Sequence, residues 1–172
     1  MQGASRLSDR PRVLVDTDVW VDFLTDRHAT AKDIARVFER VEERGGALLT
    51  AVSSLQEIFA GVSSFLDQEL AQAGEQTSLS SRREVAWGCV RMVRERSAIV
   101  SAGLGDCLEA EALRPLCDDY AQALVIAAAR RSEADVLLCG DGQLKACAPC
   151  RVCTVGELAS RMGINEKEST EA

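Results

Sequence analysis

The sequence predicts a three-layer α/β/α sandwich around a central, mainly parallel sheet. Three observations carry that expectation. The apolar run Val13-Leu14-Val15 ends abruptly in Asp16, and a helix-like pattern follows at once. Strand-like and helix-like stretches then alternate along the chain, the plan of an α/β domain. Finally, residues 120–131 are apolar almost all round, which means burial between a sheet and its neighbours.

The elements follow in order. Residues 13–15 form the first strand, central in the sheet, and Trp20, Val21, Phe23 and Leu24 continue an apolar helical pattern. Asp26-Arg27-His28 reads as a break. Ile34, Val37, Phe38 and Val41 are spaced for a helix over 29–44, stopped by Gly45-Gly46. Residues 47–52 form the second strand. Ser54 and Glu57 have capping-box spacing at the start of the next helix. A serine-rich turn is expected over 74–83, before a helix holding Val85, Trp87, Val90 and Val93. That helix carries a basic face of Arg82, Arg83, Arg91, Arg94 and Arg96, which is either a solvated face or a nucleic-acid groove. A third strand (98–101) and a short helix closed by Pro115 lead to Asp118-Asp119 and the buried helix. Strands at 135–139 and 151–153 and a helix boxed by Thr154 and Glu157 complete the plan.

At 172 residues, 47% apolar and 27% charged, the chain suits one globular domain and not a disordered one. We expect a flexible lead over 1–11, the domain over 12–163 and a flexible tail over 164–172. The lead lacks the apolar core of a signal peptide, and no apolar run approaches membrane-spanning length. Seven cysteines, an odd number, fit reduced thiols in a cytoplasm better than a disulfide framework. The net charge of −7 counts against a passive nucleic-acid binder. It suits an enzyme whose acidic cluster is neutralised by cations, or a protein with a basic partner.

In a parallel sheet, the carboxyl ends of strands and the amino ends of the following helices share one edge, where ligands bind. Asp16 and Asp141 fall at strand ends, Glu57 in the first turn after a strand, and Asp118 and Asp119 at the start of the buried helix. Carboxylates gathered this way repel one another, and a divalent cation removes the repulsion. Hard oxygen ligands suit Mg²⁺ or Mn²⁺, which activate water and stabilise charge on a phosphoryl group.

From Val13 to His28 the chain is similar to the opening of PIN domains, the nuclease fold of many toxin–antitoxin toxins. Further matches are Glu57 in Ser-Leu-Gln-Glu-Ile-Phe, the helix from Asp119, and Ala134-Asp-Val-Leu-Leu-Cys-Gly-Asp141. The resemblance implies metal-dependent RNA cleavage, with Asp16, Glu57, Asp119 and Asp141 as catalytic and metal-holding residues. It also implies an antitoxin partner. A homodimer is expected from the resemblance and from the apolar residues Phe59, Val62, Phe65 and Leu66. The chain departs from the pattern at four places. Gln122 stands where relatives carry a functional Asp, Asp18 stands where Asn is common, and Cys139-Gly140-Asp141 replaces Thr-Arg-Asp. Gln143 likewise replaces an Asp.

Two other readings compete. Asp16-Thr17-Asp18 and Gly140-Asp141-Gly142 resemble motifs of haloacid-dehalogenase-type phosphatases, with Asp16 as nucleophile, although Gln143-Leu144-Lys145 lacks the usual second acid. Gln122 and Gln143 also fit a degenerate PIN fold kept as a binding module. Cys147, Cys150 and Cys153, with Cys139, have spacing seen in metal–thiolate sites, but the strand pattern at 151–153 turns alternate residues apart. The only histidine, His28, makes a catalytic triad improbable. Trp20, Trp87 and Tyr120 fall in helical apolar patterns expected to be core.

Overall fold

Short runs of apolar residues with no polar alternate become strands covered on both faces, which is the condition of a parallel sheet. The computed structural model describes residues 7–26, 30–73, 78–140, 142–146 and 148–164. In chain order the elements are β1 (Arg12–Val15), α1 (Thr17–Thr25), α2 (Ala31–Glu43), β2 (Ala47–Ala51), α3 (Ser54–Ala73), α4 (Leu79–Arg96) and β3 (Ala98–Val100). They continue with α5 (Leu104–Leu113), α6 (Tyr120–Arg131), β4 (Val136–Cys139), a 3-10 turn (Gln143–Ala146), β5 (Val152–Thr154) and α7 (Val155–Arg161). The strands form one sheet in the order β3-β2-β1-β4-β5, and every pair is parallel. β1 is central as expected, Leu14 pairing with Leu49 on one side and Leu137 on the other.

Side chains alternate across the sheet and so build two cores. Val13 and Val15 join Leu48, Val136 and Leu138 beneath α1, α2, α3, α4 and α7. Leu14, Leu49 and Leu137 point the other way, onto α5 and α6. α6 buries Ala123, Val125, Ile126, Ala127, Ala128 and Ala129, which accounts for its nearly unbroken apolar sequence. Trp20 locks α1 to the sheet: it is fully buried, and its Nε1 donates to Thr50 Oγ1 at 3.0 Å. α2 stops where expected, because Gly45 takes a left-handed φ of 66° that other residues resist. The Thr154–Glu157 capping box forms around the start of α7.

Several expectations are corrected. α4 begins at Leu79 within the expected 74–83 turn, because Ser78 Oγ accepts from Ser81 N at 3.2 Å and caps the helix. Residues 74–77 lie outside the described residues. Trp87 and Tyr120 are not core but 55% and 52% exposed. α4 buries Ala86 and Val93, and Trp87, one position on from Ala86, is turned about 100° away from that stripe. Tyr120 opens α6 ahead of the first buried position, Ala123. Val62 is buried in the chain's own core, so it does not contribute to a surface for pairing. In the expected lead, Leu7 packs against the core and Ser8 Oγ donates to Asp135 Oδ2 at 2.7 Å.

α5 is held to α6 by a buried carboxylate. Asp106 is 3% exposed and accepts from Gly103 N and from Arg131 Nε, both at 2.7 Å. Burial pushes its pKa up, but the bonds from Arg131 and Gly103 outweigh burial and hold the carboxyl below its ordinary range. A carboxyl with a lowered folded pKa stabilises the fold above its unfolded pKa and loses that contribution as pH falls. Asp106→Asn is therefore expected to lower stability at neutral pH by about 1–3 kcal/mol. The gap from the parent should narrow as pH drops through the carboxylate range. Urea unfolding at neutral and acid pH measures this, and an equal gap at both would deny the charge any role.

Candidate active site

Asp16 is the residue between β1 and α1. Its backbone N–H donates to Leu138 O of β4 at 2.9 Å, and its Oδ1 accepts from Thr17 N at 2.8 Å. The side chain is thus held at the carboxyl end of the two central strands. Thr17 Oγ1 in turn donates to Glu57 Oε2 at 2.9 Å. One threonine therefore links carboxylates that arrive on separate elements. The Ser54–Glu57 capping box expected from spacing does not form: α3 starts at Ser54 itself, whose buried Oγ has no partner among the described residues, while Glu57 turns to Thr17.

At the start of α6 the two neighbouring aspartates take different places. Asp119, not Asp118, is the cap, with extended backbone and Oδ1 accepting from Gln122 N at 3.0 Å. Only the residue directly before the first helical position reaches the amides of the opening turn. Asp118 lies in a separate hollow beside Glu111 and Arg114.

Asp16, Glu57 and Asp119 line one cleft of about 370 Å³, as the sheet-edge argument anticipated. Asp18 and Asp22, one helical turn apart on α1, line it as well. No lysine, arginine or histidine does so among the described residues. Asp141 and His28 lie outside the described residues. Asp22 and Thr17 were not among the residues expected to hold a metal. The i, i+4 spacing from Asp18 was the available signal for Asp22; nothing local marked Thr17 as a link to Glu57.

A family model described as the PIN domain matches residues 12–143. The chain belongs to the PIN domain family. No curated protein is matched significantly by its sequence. Among solved structures, the fold of this PIN domain is similar to that of VapBC2 from Rickettsia felis, crystallised with a DNA fragment from its promoter. That match has a TM-score of 0.63 and 13% identity, and covers 83% of this chain and 98% of the other. It is also similar to VapC20 of Mycobacterium tuberculosis, a sarcin-ricin loop cleaving toxin, with a TM-score of 0.53 and 12% identity. That match covers 73% of this chain and 86% of the other. At such identities the likeness establishes a shared fold.

The departures from the usual PIN pattern now have locations. Gln122 lines the cleft, and its Oε1 accepts from Cys117 Sγ at 3.8 Å, so an amide stands among the carboxylates there. Among the described residues, no group of three or more Cys, His, Asp or Glu side chains is already set to hold a metal ion. The donor chemistry nevertheless fits one, since the five carboxylates that line the cleft are hard oxygen ligands. Among the described residues the cysteines form no such group either. Cys139 and Cys153 are buried thiols outside any disulfide, and Cys139 Sγ donates to Cys153 O at 3.7 Å. Burial also pushes the Cys153 thiol up, away from the thiolate a metal needs. Cys147 lies outside the described residues.

Asp18 and Gly140, two separate departures in sequence, are halves of one contact. Gly140 N donates to Asp18 Oδ2 at 2.9 Å while Oδ1 accepts from Val19 N at 2.7 Å. A Cβ at position 140 would stand 2.5 Å from that Oδ2, so the carboxylate fills the room a side chain would take. An asparagine has one acceptor oxygen and does not satisfy both amides. Gly140→Ala is expected to destabilise by about 1–3 kcal/mol. In an Asp18→Ala background the same change should cost less than about 0.5 kcal/mol. Urea unfolding of the four proteins tests this, and additive effects would show that the contact carries no energy.

Proposed function

We propose that this PIN domain hydrolyses RNA phosphodiester bonds with a Mg²⁺ or Mn²⁺ ion held by Asp16, Glu57 and Asp119, joined by Asp141. The observation that carries the reading is the convergence of carboxylates from three separate parts of the chain on one cleft. When bound, such an ion polarises the phosphoryl oxygens and makes water a better nucleophile. The chain's own residues do the rest. Asp16 is held without a flexible lead and Thr17 fixes Glu57 beside it; in this reading the carboxylates orient a water and accept its proton. Asp18 braces the backbone at Gly140, next to Asp141.

The likeness to VapBC2 and VapC20 supports a further reading as the toxin of a toxin–antitoxin pair, with an antitoxin protein as partner; a homodimeric state and a cytoplasmic location belong to the same proposal. Among the described residues no helix is long and apolar enough to cross a membrane.

The test is incubation with an unstructured RNA oligonucleotide in Mg²⁺, in Mn²⁺ and in EDTA, beside a generic phosphate monoester. Cleavage of RNA only with the metal is expected. Cleavage that persists in EDTA overturns metal dependence, and Asp16-dependent turnover of the monoester would assign a phosphatase instead. Gln122 in the cleft favours one second reading, a binding module that has lost its metal. Calorimetry showing no Mg²⁺ or Mn²⁺ uptake at millimolar concentration would establish it.

A further inference from the structure

A cleft lined by carboxylates repels the polyanion it is proposed to cut, so RNA needs a cationic hold elsewhere on the surface. α4 offers one. Arg83, Trp87, Arg91 and Arg94 recur at i, i+4, i+8 and i+11, and at 3.6 residues per turn they form one stripe along the helix. All four are exposed. The helix's other two arginines are engaged elsewhere. Arg82 pairs with Asp67 of α3, and Arg96 pairs with Glu42 at 3.1 Å while lying over the rings of Phe23 and Phe38. Among the described residues Arg94 meets only Glu95, an exposed pair of little worth. Arg83 and Arg91 make no ion pair among the described residues.

The single apolar member of the stripe is an aromatic ring. Trp87 rests against Phe59 with centroids 5.3 Å apart, yet more than half of it stays open to solvent. The exposed aliphatic residues Val85 and Met92 fall on a different side of the helix. A flat ring among guanidinium forks matches a base and its flanking phosphates, which an acidic peptide does not supply. The stripe lies across α3 from the cleft. Phe59, beneath Trp87, is two residues beyond Glu57 on α3, so stripe and cleft flank the same helix, about 10 Å thick.

We propose that this stripe binds the single-stranded RNA, with a base stacked on Trp87 and phosphates held by Arg83, Arg91 and Arg94; the choice of RNA rests on the ribonuclease reading. The full chain is titrated with labelled oligouridylate in EDTA over a salt series, following anisotropy and tryptophan emission. The parent's emission should be quenched on binding. Trp87→Ala should weaken binding by about 5- to 150-fold and Trp87→Tyr much less, since a base stack is worth about 1–3 kcal/mol. Arg83→Ala with Arg91→Ala should flatten the dependence of log K on log salt by about 1.4, about 0.7 for each phosphate no longer neutralised. Circular dichroism checks that each variant is folded. Unchanged affinity in these variants, with RNA cleavage intact in Mn²⁺, overturns the stripe and leaves the ribonuclease. Trp87-dependent binding without cleavage by the parent overturns the ribonuclease and keeps the stripe. Equal displacement of the RNA by polyglutamate, with no quenching by RNA, assigns the face to an acidic protein and overturns the proposal.

Discussion

Asp16→Asn is expected to reduce metal-dependent RNA cleavage by more than about 100-fold, since losing even an outer partner of a metal ligand costs about 10- to 100-fold. The substitution isolates charge from shape. Asparagine keeps a carbonyl oxygen to accept from Thr17 N, and the backbone bond from residue 16 to Leu138 O is untouched. The start of α1 therefore survives. What changes is one negative charge among the acids that line the cleft. Mn²⁺ affinity, measured by calorimetry, should fall with the cleavage rate. Stability in urea should hold or rise by about 1 kcal/mol, because the remaining carboxylates repel less. A variant that unfolds would show Asp16 to be mainly structural. One that keeps full cleavage and metal uptake would move the site elsewhere.

Trp20→Ala should have the largest effect on stability, a loss of about 3–5 kcal/mol. The indole is fully buried between α1 and the sheet, 4.9 Å from the Phe38 ring and 6.1 Å from Phe23. Its Nε1 donates to Thr50 Oγ1, which also bonds Ser97 Oγ at 2.7 Å. Truncation therefore opens a cavity and removes one bond from a buried polar chain. For a domain of this size the melting temperature should drop by about 10 °C. Because α1 carries Asp18 and Asp22 and starts at Asp16, metal uptake should weaken even where the variant remains folded. Trp20→Phe fills part of the space and should recover most of the stability. A melting temperature within a few degrees of the parent after Trp20→Ala would mean that α1 is held by something other than this ring.

The layer plan and the edge where the acids meet were legible because both follow from local pattern plus one topological rule. Apolar runs of strand length mark what is buried, helical spacing marks what covers it, and a parallel sheet puts all strand ends on one side. Asp16, Glu57 and Asp119 could be placed together on that basis without knowing any side-chain direction. The capping choices were less legible. Ser54 and Glu57 have perfect box spacing, yet Glu57 bonds Thr17; Asp118 and Asp119 differ by one position, and the backbone angle at Asp119 selects the cap. Helical periodicity likewise failed for Trp87 and Tyr120, because it tells which residues share a face and not whether a neighbour covers that face.

The sequence by itself determined the order of strands and helices, the central place of β1 and the edge that carries the carboxylates, since these depend on spacing along the chain. Only the tertiary structure decided that Thr17 joins Asp16 to Glu57, that Asp18 fills the space left by Gly140, and that Trp87 stands in solvent among arginines. Each of these depends on distances between segments far apart in sequence. Those distances are set by how the helices pack on the two faces of the sheet, a property of the whole core that no single stretch encodes.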